Sequence, residues 1–210
     1  MIIAVANLKG GLLRSTVTVM LAHTYRQTGK RVAIADTTSS GDSARFAALM
    51  NENFGAGFDT EVHVIPFDPY QSEQEVEKAS VGVRAHIQEI EKALGDSGVV
   101  VIDTNPGVIQ ALNELDSIVD HVVVPYDYSP ASLTSTLRTF SAFTAPTTVL
   151  PYRPYPDSAV DGREQMQQVA EKSTYLSEAI LSYDEGHLLS ENRDLALEYE
   201  KLADEILQNV

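Results

Sequence analysis

The chain has 210 residues, no cysteine and a formal net charge of −15 at pH 7. The absence of cysteine excludes disulfides and thiolate metal sites. The five histidines of the chain lack zinc-binding spacing. No apolar segment approaches the roughly 18 residues of a membrane span, and no basic signal-peptide start is present. We therefore expect a cytoplasmic protein in which residues 1–210 form a single domain.

Apolar strands alternate with helical segments along the chain. Strands are predicted from residue 2 and at 31–36, 62–67, 98–103, 121–125, 147–151 and 179–183. Helices are predicted at about 14–27, 42–50, 72–94, 109–119, 130–143, 160–172 and 191–207. This alternation predicts an α/β fold, a doubly wound and mostly parallel sheet with helices on both faces. The proline-rich segment at 151–157 predicts a loop or an extended stretch.

The segment NLKGGLLRST joins the first strand to the first helix and has features of a phosphate-binding loop. Glycines at 10 and 11 let backbone N–H groups approach an anion, and the helix N-terminus adds partial positive charge. In the usual pattern GxxxxGK(S/T), the Gly-Lys step aligns with Leu13 and Arg14, and the magnesium-binding hydroxyl aligns with Ser15. The triplet KGG alone also suits a plain glycine turn.

Two further predicted strands end in a carboxylate. The segment RVAIAD ends at Asp36, and GVVVID ends at Asp103, which begins the sequence DTNPG. The carboxyl ends of parallel strands form the edge at which α/β sheets bind ligands. We therefore expect both carboxylates to lie beside the loop, where oxygen ligands suit Mg²⁺.

These motifs resemble those of the ParA/MinD family of deviant Walker A ATPases, and in particular the short ParA-type plasmid partition proteins. The family loop KGGxGK(S/T)(S/T) is matched at Lys9, Gly10, Gly11, Ser15 and Thr16. DTNPG resembles the family's DxPPG, and SIVDHVVVP resembles its aaaDxvixP. The resemblance implies a P-loop NTPase-like fold that binds ATP and Mg²⁺.

The resemblance also implies roles for individual residues. Lys9 corresponds to the signature lysine, which reaches the partner's phosphates across a nucleotide-sandwich dimer, and Asp36 is a second, weaker catalytic candidate. The expected nucleotide contacts are Lys9, Gly10, Gly11, Arg14, Ser15, Thr16 and, near the base, Arg153. The expected magnesium ligands are Ser15, Asp36 and Asp103. For Lys9 and Arg153, ordinary loop positions are the alternative.

Three residues depart from the family pattern. Leu13 replaces a glycine that is expected to need a positive φ angle, and Arg14 replaces a lysine with a bulkier, planar guanidinium. Thr38 stands where the family has its water-activating aspartate, and a hydroxyl is far too weakly basic to replace a carboxylate. We therefore expect impaired or absent ATP hydrolysis, with Asp42 as a substitute base only if this segment folds differently.

Two functions follow from the sequence. The first is a ParA-like partition protein that segregates plasmid or chromosome DNA through a nucleotide-dependent homodimer or filament and a centromere-binding partner protein. The second is a non-hydrolysing binding or regulatory module in plasmid maintenance or conjugation. The acidic charge disfavours tight direct DNA binding, and the last helix lacks the basic cluster of a membrane-targeting helix.

Overall fold

The structure is a computed structural model that describes residues 1–54, 60–65, 73–107, 109–153, 163–177, 181–182 and 193–210. Its strands are Ile2–Val5 (β1), Val32–Asp36 (β2), Glu61–Val64 (β3), Val99–Asp103 (β4), His121–Tyr126 (β5), Thr147–Arg153 (β6), Tyr175–Leu176 (β7) and Leu181–Ser182 (β8). Its helices are Arg14–Gln27 (α1), Asp42–Phe54 (α2), Glu73–Leu94 (α3), Ile109–Leu115 (α4), Pro130–Phe140 (α5), Arg163–Ala170 (α6) and Arg193–Gln208 (α7).

The described strands form a parallel sheet in the order β3-β2-β4-β1-β5-β6-β7, with β8 also paired to β6. The central strands are continuous apolar runs because both of their faces are covered. The register pairs Asp36 with Asp103 and Val5 with Asp103, so the carboxyl ends of β1, β2 and β4 meet at one edge. The predicted doubly wound parallel α/β fold is confirmed.

Two apolar layers cover the sheet. Ile3 and Val5 of β1 point into a layer that includes residues of α1 and α7, and Tyr25 Oη donates to the carbonyl of Ala203 at 3.2 Å between these helices. Ile2 and Ala4 point into the opposite layer with α3 and α4. This division follows from the alternation of side chains along a strand. Within the described ranges, no helix is long and apolar enough to cross a membrane.

Several element boundaries differ from the predicted ones: the helix predicted at 42–50 continues to Phe54, and the helix predicted at 109–119 ends at Leu115. The helix predicted to residue 143 ends at Phe140, and the strand β7 was not predicted because two residues carry no periodic signal. Strand β6 continues through the first residues of the proline-rich segment, where Pro151 pairs with Tyr126 of β5. The rest of that segment lies outside the described residues.

A buried histidine lies at the start of β5. The His121 Nε2 atom is 2.8 Å from Thr148 Oγ1, and the ring stacks on Tyr175 with a centroid distance of 6.2 Å. Its Nδ1 atom has no hydrogen-bond partner in the described part of the chain. Burial lowers the pKa of His121 from 6.5 to about 4.

This histidine makes the folding stability depend on pH. Between pH 6.5 and about 4 the unfolded chain binds a proton at His121 that the folded chain does not bind, so acid favours unfolding. As the pH is lowered from 6.5 to about 4, we expect the free energy of unfolding of wild type, relative to that of His121→Gln, to fall by up to about 3 kcal/mol. Below about pH 4 the difference should level off. Urea denaturation at a series of pH values measures the difference, and a difference that stays constant would contradict the assignment.

Candidate functional site

A buried asparagine anchors the loop between β1 and α1. Asn7 Nδ2 donates to the Pro125 carbonyl at 2.9 Å and to Thr136 Oγ1 at 2.8 Å, which ties the loop to β5 and α5. Asn7 Oδ1 accepts from the Lys9 backbone N–H at 2.9 Å. The sequence analysis did not single out Asn7, and its only signal is a polar residue placed directly after a buried strand.

Leu13 has the positive φ angle that its place in the loop predicts. Its φ and ψ angles are 56° and 22°, and its carbonyl accepts from the Val17 N–H at 2.8 Å in the first turn of α1. A left-handed conformation costs an L-residue roughly 1–2 kcal/mol. The partly buried Leu13 side chain packs against the core layer of α1, and this contact offsets part of the strain.

The Arg14 side chain folds back into the loop. Its Nη1 atom donates to the carbonyls of Asn7 at 2.8 Å and Lys9 at 2.6 Å, and its Nε atom donates to the Thr104 carbonyl at 3.2 Å. Only 8% of the residue is exposed. Burial lowers the pKa of Arg14, whereas the charge of Asp103 opposes the shift. The guanidinium therefore links the loop to the end of β4.

Asp103 is fully buried at the end of β4. Its Oδ2 atom accepts from Ser43 Oγ at 2.5 Å, whereas Oδ1 has no hydrogen-bond partner of normal geometry among the described residues. Burial raises the pKa of Asp103 to about 6, and the charge of Asp36 adds to the shift. The Ser15 and Ser43 side chains and the Arg14 charge act in the opposite direction. Asp103 Oδ1 and Ser15 are thus the predicted metal ligands that stay close together.

Both oxygens of Asp36 are used inside the protein. Oδ1 accepts from the Thr38 backbone N–H at 3.0 Å and from Thr38 Oγ1 at 2.6 Å, and Oδ2 accepts from the Ala44 N–H at 2.9 Å. Thr38 Oγ1 in turn accepts from the Asp42 N–H at 2.9 Å, and Thr38 is only 2% exposed. Asp36 and Thr38 therefore brace the start of α2.

Lys9 forms an ion pair within its own chain. Its Nζ atom lies 2.6 Å from Asp127 Oδ2 and 3.3 Å from Ser129 Oγ, and its side chain remains 31% exposed. Burial tends to raise the pKa of Asp127, but hydrogen bonds from Lys9 and Ser129 outweigh burial and lower it. Sequence reasoning missed Asp127, although a carboxylate directly after β5 falls at the same ligand-binding edge.

The structure brings most of the predicted site residues together. The loop with Lys9, Gly10, Gly11, Arg14, Ser15 and Thr16 lies at the edge where β2 and β4 end in Asp36 and Asp103. Arg153 ends β6, two strands away from β1, and its side chain lies outside the described residues. Its neighbour Tyr152 packs in the core layer of α1.

The central β1, its loop and the parallel strand order define the fold of ParA-type P-loop ATPases, so the sequence resemblance is confirmed for the fold. The apo form of McdA from Cyanothece has 18% identity and a TM-score of 0.75 over 98% of both chains. The ATP complex of a McdA variant has a TM-score of 0.69 at 18% identity over 100% of this chain and 96% of that one.

Two other proteins show the breadth of this fold. Cobyrinic acid a,c-diamide synthase from Mycobacterium smegmatis, with an ATP analogue and magnesium, has 19% identity and a TM-score of 0.66, covering 99% of this chain and 94% of that one. The pNOB8 ParA structure on nonspecific DNA has 15% identity and a TM-score of 0.64, covering 99% and 97%. No protein-family profile and no curated protein sequence matches the chain.

Of the expected ATP and Mg²⁺ contacts, Arg14 and Asp36 are bonded within the protein, whereas Asp103 Oδ1 has no hydrogen-bond partner in the described part of the chain. The Arg14 guanidinium bonds to the loop's own carbonyls, and both oxygens of Asp36 already accept hydrogen bonds within the protein. The described residues contain no cluster of three or more His, Cys, Asp or Glu side chains that could hold a metal. Asp103, with one unpartnered oxygen and Ser15 beside it, therefore suits a Mg²⁺ ligand better than Asp36 does.

Restoring the loop is expected to restore phosphate binding. The pair Leu13→Gly with Arg14→Lys removes the strained leucine and shortens the side chain, so we expect ATP affinity to rise by at least about tenfold. Isothermal titration calorimetry with ATP, ADP and GTP measures the change. An unchanged affinity would show that these two residues do not limit binding.

The bonds of Asp36 predict a structural role for this carboxylate. We expect Asp36→Asn to lower the free energy of unfolding by about 2–4 kcal/mol, because its amide group would face an N–H donor in the buried site. The control Asp42→Asn changes an exposed carboxylate and should cost no more than about 1 kcal/mol. Denaturation of wild type and Asp36→Asn with and without MgCl₂ tests this role. If the variant is less stable than wild type only when Mg²⁺ is present, Asp36 is a metal ligand instead.

Proposed function

We propose that the chain is a ParA-like partition protein in which ATP hydrolysis is impaired or absent. The main support is the residue at position 38, where the resemblance places the water-activating aspartate. This residue is Thr38, which is buried and whose hydroxyl is bonded to Asp36 and to the backbone N–H of Asp42. Hydrolysis needs a base within reach of the attacking water and with a suitable pKa. Thr38 offers neither, so the site lacks the group that the reaction requires.

Asp42 does not replace the missing base in this arrangement. It is exposed at the first position of α2, and its Oδ1 atom accepts from Ser40 Oγ at 2.6 Å. Its backbone N–H is held by Thr38. Moving its carboxylate toward the loop would break the bonds that define the start of the helix.

The proposed nucleotide-dependent dimer would use Lys9. In the described chain Lys9 is held by Asp127, and this pair must open before the ammonium can reach a partner's phosphates. Lys9 is 31% exposed but Asp127 only 13%, so the pair is partly shielded from solvent. Opening it would leave Asp127 without its cation, a cost that contacts of Lys9 with phosphate would have to offset.

Partition as the biological setting is supported by a further structural neighbour, a plasmid partition protein from Borrelia burgdorferi, which has 14% identity and a TM-score of 0.63 over 100% of this chain and 99% of that one. We propose a centromere-binding protein as the partner and a homodimer or filament as the working assembly. Direct DNA binding is disfavoured for this chain, because a net charge of −15 opposes the counterion-release contribution that drives binding to phosphates.

The second candidate is a non-hydrolysing binding or regulatory module in plasmid maintenance or conjugation. It is favoured by the engagement of Arg14 with the loop carbonyls, because such a loop needs no nucleotide to stay folded. The two candidates differ in whether nucleotide controls self-association. Sedimentation with and without ATP and Mg²⁺ distinguishes the two candidates, because it measures self-association of the protein. If millimolar ATP neither binds nor changes the association state, the nucleotide-dependent dimer is overturned and the module is supported.

A set of variants tests the assignment of Thr38. We expect wild type to release no phosphate above background, and Leu13→Gly/Arg14→Lys/Thr38→Asp to release it measurably, because the triple variant regains both the loop and the base. The matched control carries Thr38→Asn, which has similar size but no basic oxygen, and should stay inactive. Steady phosphate release by wild type would refute the proposed loss of hydrolysis.

A further inference from the structure

We infer that Asn7 is a positioning residue for Lys9: its bonds to β5 and α5 hold the loop so that the Lys9 ammonium group meets the carboxylate at the end of β5. Asn7 acts through Lys9 rather than by contacting a ligand. The inference goes beyond the proposed function and rests on it in one respect, because that function gives the directed ammonium its task.

The side-chain amide of Asn7 is fully buried, and its donors and its acceptor are all engaged. Its Nδ2 atom donates to the Pro125 carbonyl at 2.9 Å and to Thr136 Oγ1 at 2.8 Å. Its Oδ1 atom accepts from the Lys9 backbone N–H at 2.9 Å and from Ser135 Oγ at 2.8 Å. Any other orientation of the amide would leave buried polar groups unpaired, so its direction is fixed.

Both ends of Lys9 are held by one segment of the chain, which runs from β5 to the start of α5. The Lys9 backbone N–H is tied through Asn7 to Pro125 of β5. The Lys9 Nζ atom lies 2.6 Å from Asp127 Oδ2 and 3.3 Å from Ser129 Oγ, and Ser129 is the N-cap of α5. A lysine has a flexible four-carbon stem, so the orientation of its backbone decides which group it meets. Asn7 supplies that orientation.

Hydroxyl groups on one face of α5 hold this part of the loop. Thr139 Oγ1 accepts from the Leu8 backbone N–H at 3.1 Å, and Ser135 and Thr136 contact Asn7. Thr136 and Thr139 are fully buried, and residues three or four apart lie on the same side of a helix. The start of the loop is therefore docked on α5, with Asn7 as the residue that joins both helix and strand.

The carboxylate that receives Lys9 is fixed as well. Asp127 Oδ1 accepts from the Ser129 backbone N–H at 3.1 Å and from Ser129 Oγ at 2.7 Å, and Oδ2 accepts from Lys9. Tyr128 lies between these residues with a φ angle of 63°, and its ring packs on Tyr126 at a centroid distance of 5.4 Å. Strained backbone of this kind persists where the surrounding contacts over-determine it. The target of the ammonium is thus as well defined as its origin.

The rival role for Asn7 is that of a structural anchor, with Lys9 meeting Asp127 whether or not Asn7 is present. Both roles predict that replacing Asn7 lowers the stability of the protein, because buried partners lose their bonds. They differ in whether the ion pair between Lys9 and Asp127 weakens. The deciding measurements must therefore report on that pair.

NMR titration of the Asp127 carboxyl group in wild type, Asn7→Ala and Asn105→Ala is the first test. Burial acts to raise the pKa of Asp127, but the hydrogen bonds from Lys9 and Ser129 outweigh it and hold the pKa below its ordinary value. We expect the pKa of Asp127 to be at least about 0.5 pH unit higher in Asn7→Ala than in wild type. An unchanged pKa would overturn the inference.

Asn105→Ala is the matched control, because it removes another buried amide at the same edge of the sheet. Asn105 Nδ2 donates to the Thr37 carbonyl at 2.6 Å, and its Oδ1 accepts from the Ser39 N–H at 3.0 Å. We expect Asn105→Ala to melt below wild type, as Asn7→Ala does, and to leave the pKa of Asp127 unchanged. An equal rise of that pKa in both variants would overturn the inference in favour of a general loss of stability.

Acetylation of lysines by acetic anhydride, followed by mass spectrometry, gives a second readout. An opposite charge favours the charged amine, which does not react, so the ion pair slows acetylation of Lys9. We expect Lys9 to react at least about threefold faster in Asn7→Ala than in wild type, with Lys30 as the internal reference. An unchanged rate at Lys9 would contradict the positioning role.

Thr136→Val tests the inference on a milder change and decides it if Asn7→Ala does not fold. Valine keeps the size of the side chain and removes the acceptor of Asn7 Nδ2. Its matched control is Thr134→Val, which changes an exposed hydroxyl of the same helix that is 3.5 Å from the Pro130 carbonyl. We expect only Thr136→Val to raise the pKa of Asp127 and the reactivity of Lys9. Identical behaviour of the two variants would overturn the inference.

The proposed function can fail separately, because the titration and the acetylation need no nucleotide. If wild type does not self-associate with ATP but Asn7→Ala shifts both readouts, the positioning of Lys9 stands and the nucleotide-dependent dimer falls. If ATP drives self-association of wild type and of Asn7→Ala equally, and neither readout changes, the dimer stands and the positioning role falls. Sedimentation of both proteins with and without ATP and Mg²⁺ completes the experiment.

Discussion

The site depends on one buried carboxylate that joins three separate segments. The backbone carbonyl of Asp103 accepts from the Thr37 N–H at 3.0 Å and from Thr37 Oγ1 at 2.7 Å, and its side chain accepts from Ser43 of α2. The same side chain interacts with Ser15 and Arg14 at the start of α1. Burial raises the pKa of Asp103 to about 6 even though these serine donors and the Arg14 charge lower it, so they help to keep the carboxylate ionised at neutral pH. Arg14 is therefore part of the folded arrangement as much as part of a binding loop.

The replacements at Leu13, Arg14 and Thr38 affect different energies. Leu13 stores backbone strain in the loop, Arg14 supplies a buried cation, and Thr38 completes the bonds of Asp36 at the start of α2. Arg14 and Thr38 thus stabilise the protein itself. In a nucleotide-binding site, the side chains at these positions would be directed at the ligand. At this sheet edge Arg14, Asp36 and Thr38 are bonded to groups of the protein itself, which stabilises the chain without a nucleotide.

The fold was predictable because its signals are local. Buried parallel strands are continuous apolar runs such as VVVID and HVVVP, and the long helix α3 shows helical spacing of apolar residues. The positive φ angle of Leu13 was predictable too, since the position requires it of any residue. The direction of the Arg14 side chain was not predictable, because one of its acceptors, Thr104, lies 90 residues away. The partner of Lys9, Asp127, lies 118 residues away for the same reason.

The coincidence of an altered loop and an altered base also has a physical explanation. With Thr38 bonded to Asp36 and no base in its place, as proposed above, a bound nucleotide would leave only by dissociation. A tight phosphate loop would then trap the protein in a single state. A loop that binds phosphate less tightly would release it sooner, and the strained Leu13 and the self-bonded Arg14 both act in that direction. The altered loop and the altered base are therefore compatible with a cycle of binding and release that does not depend on hydrolysis.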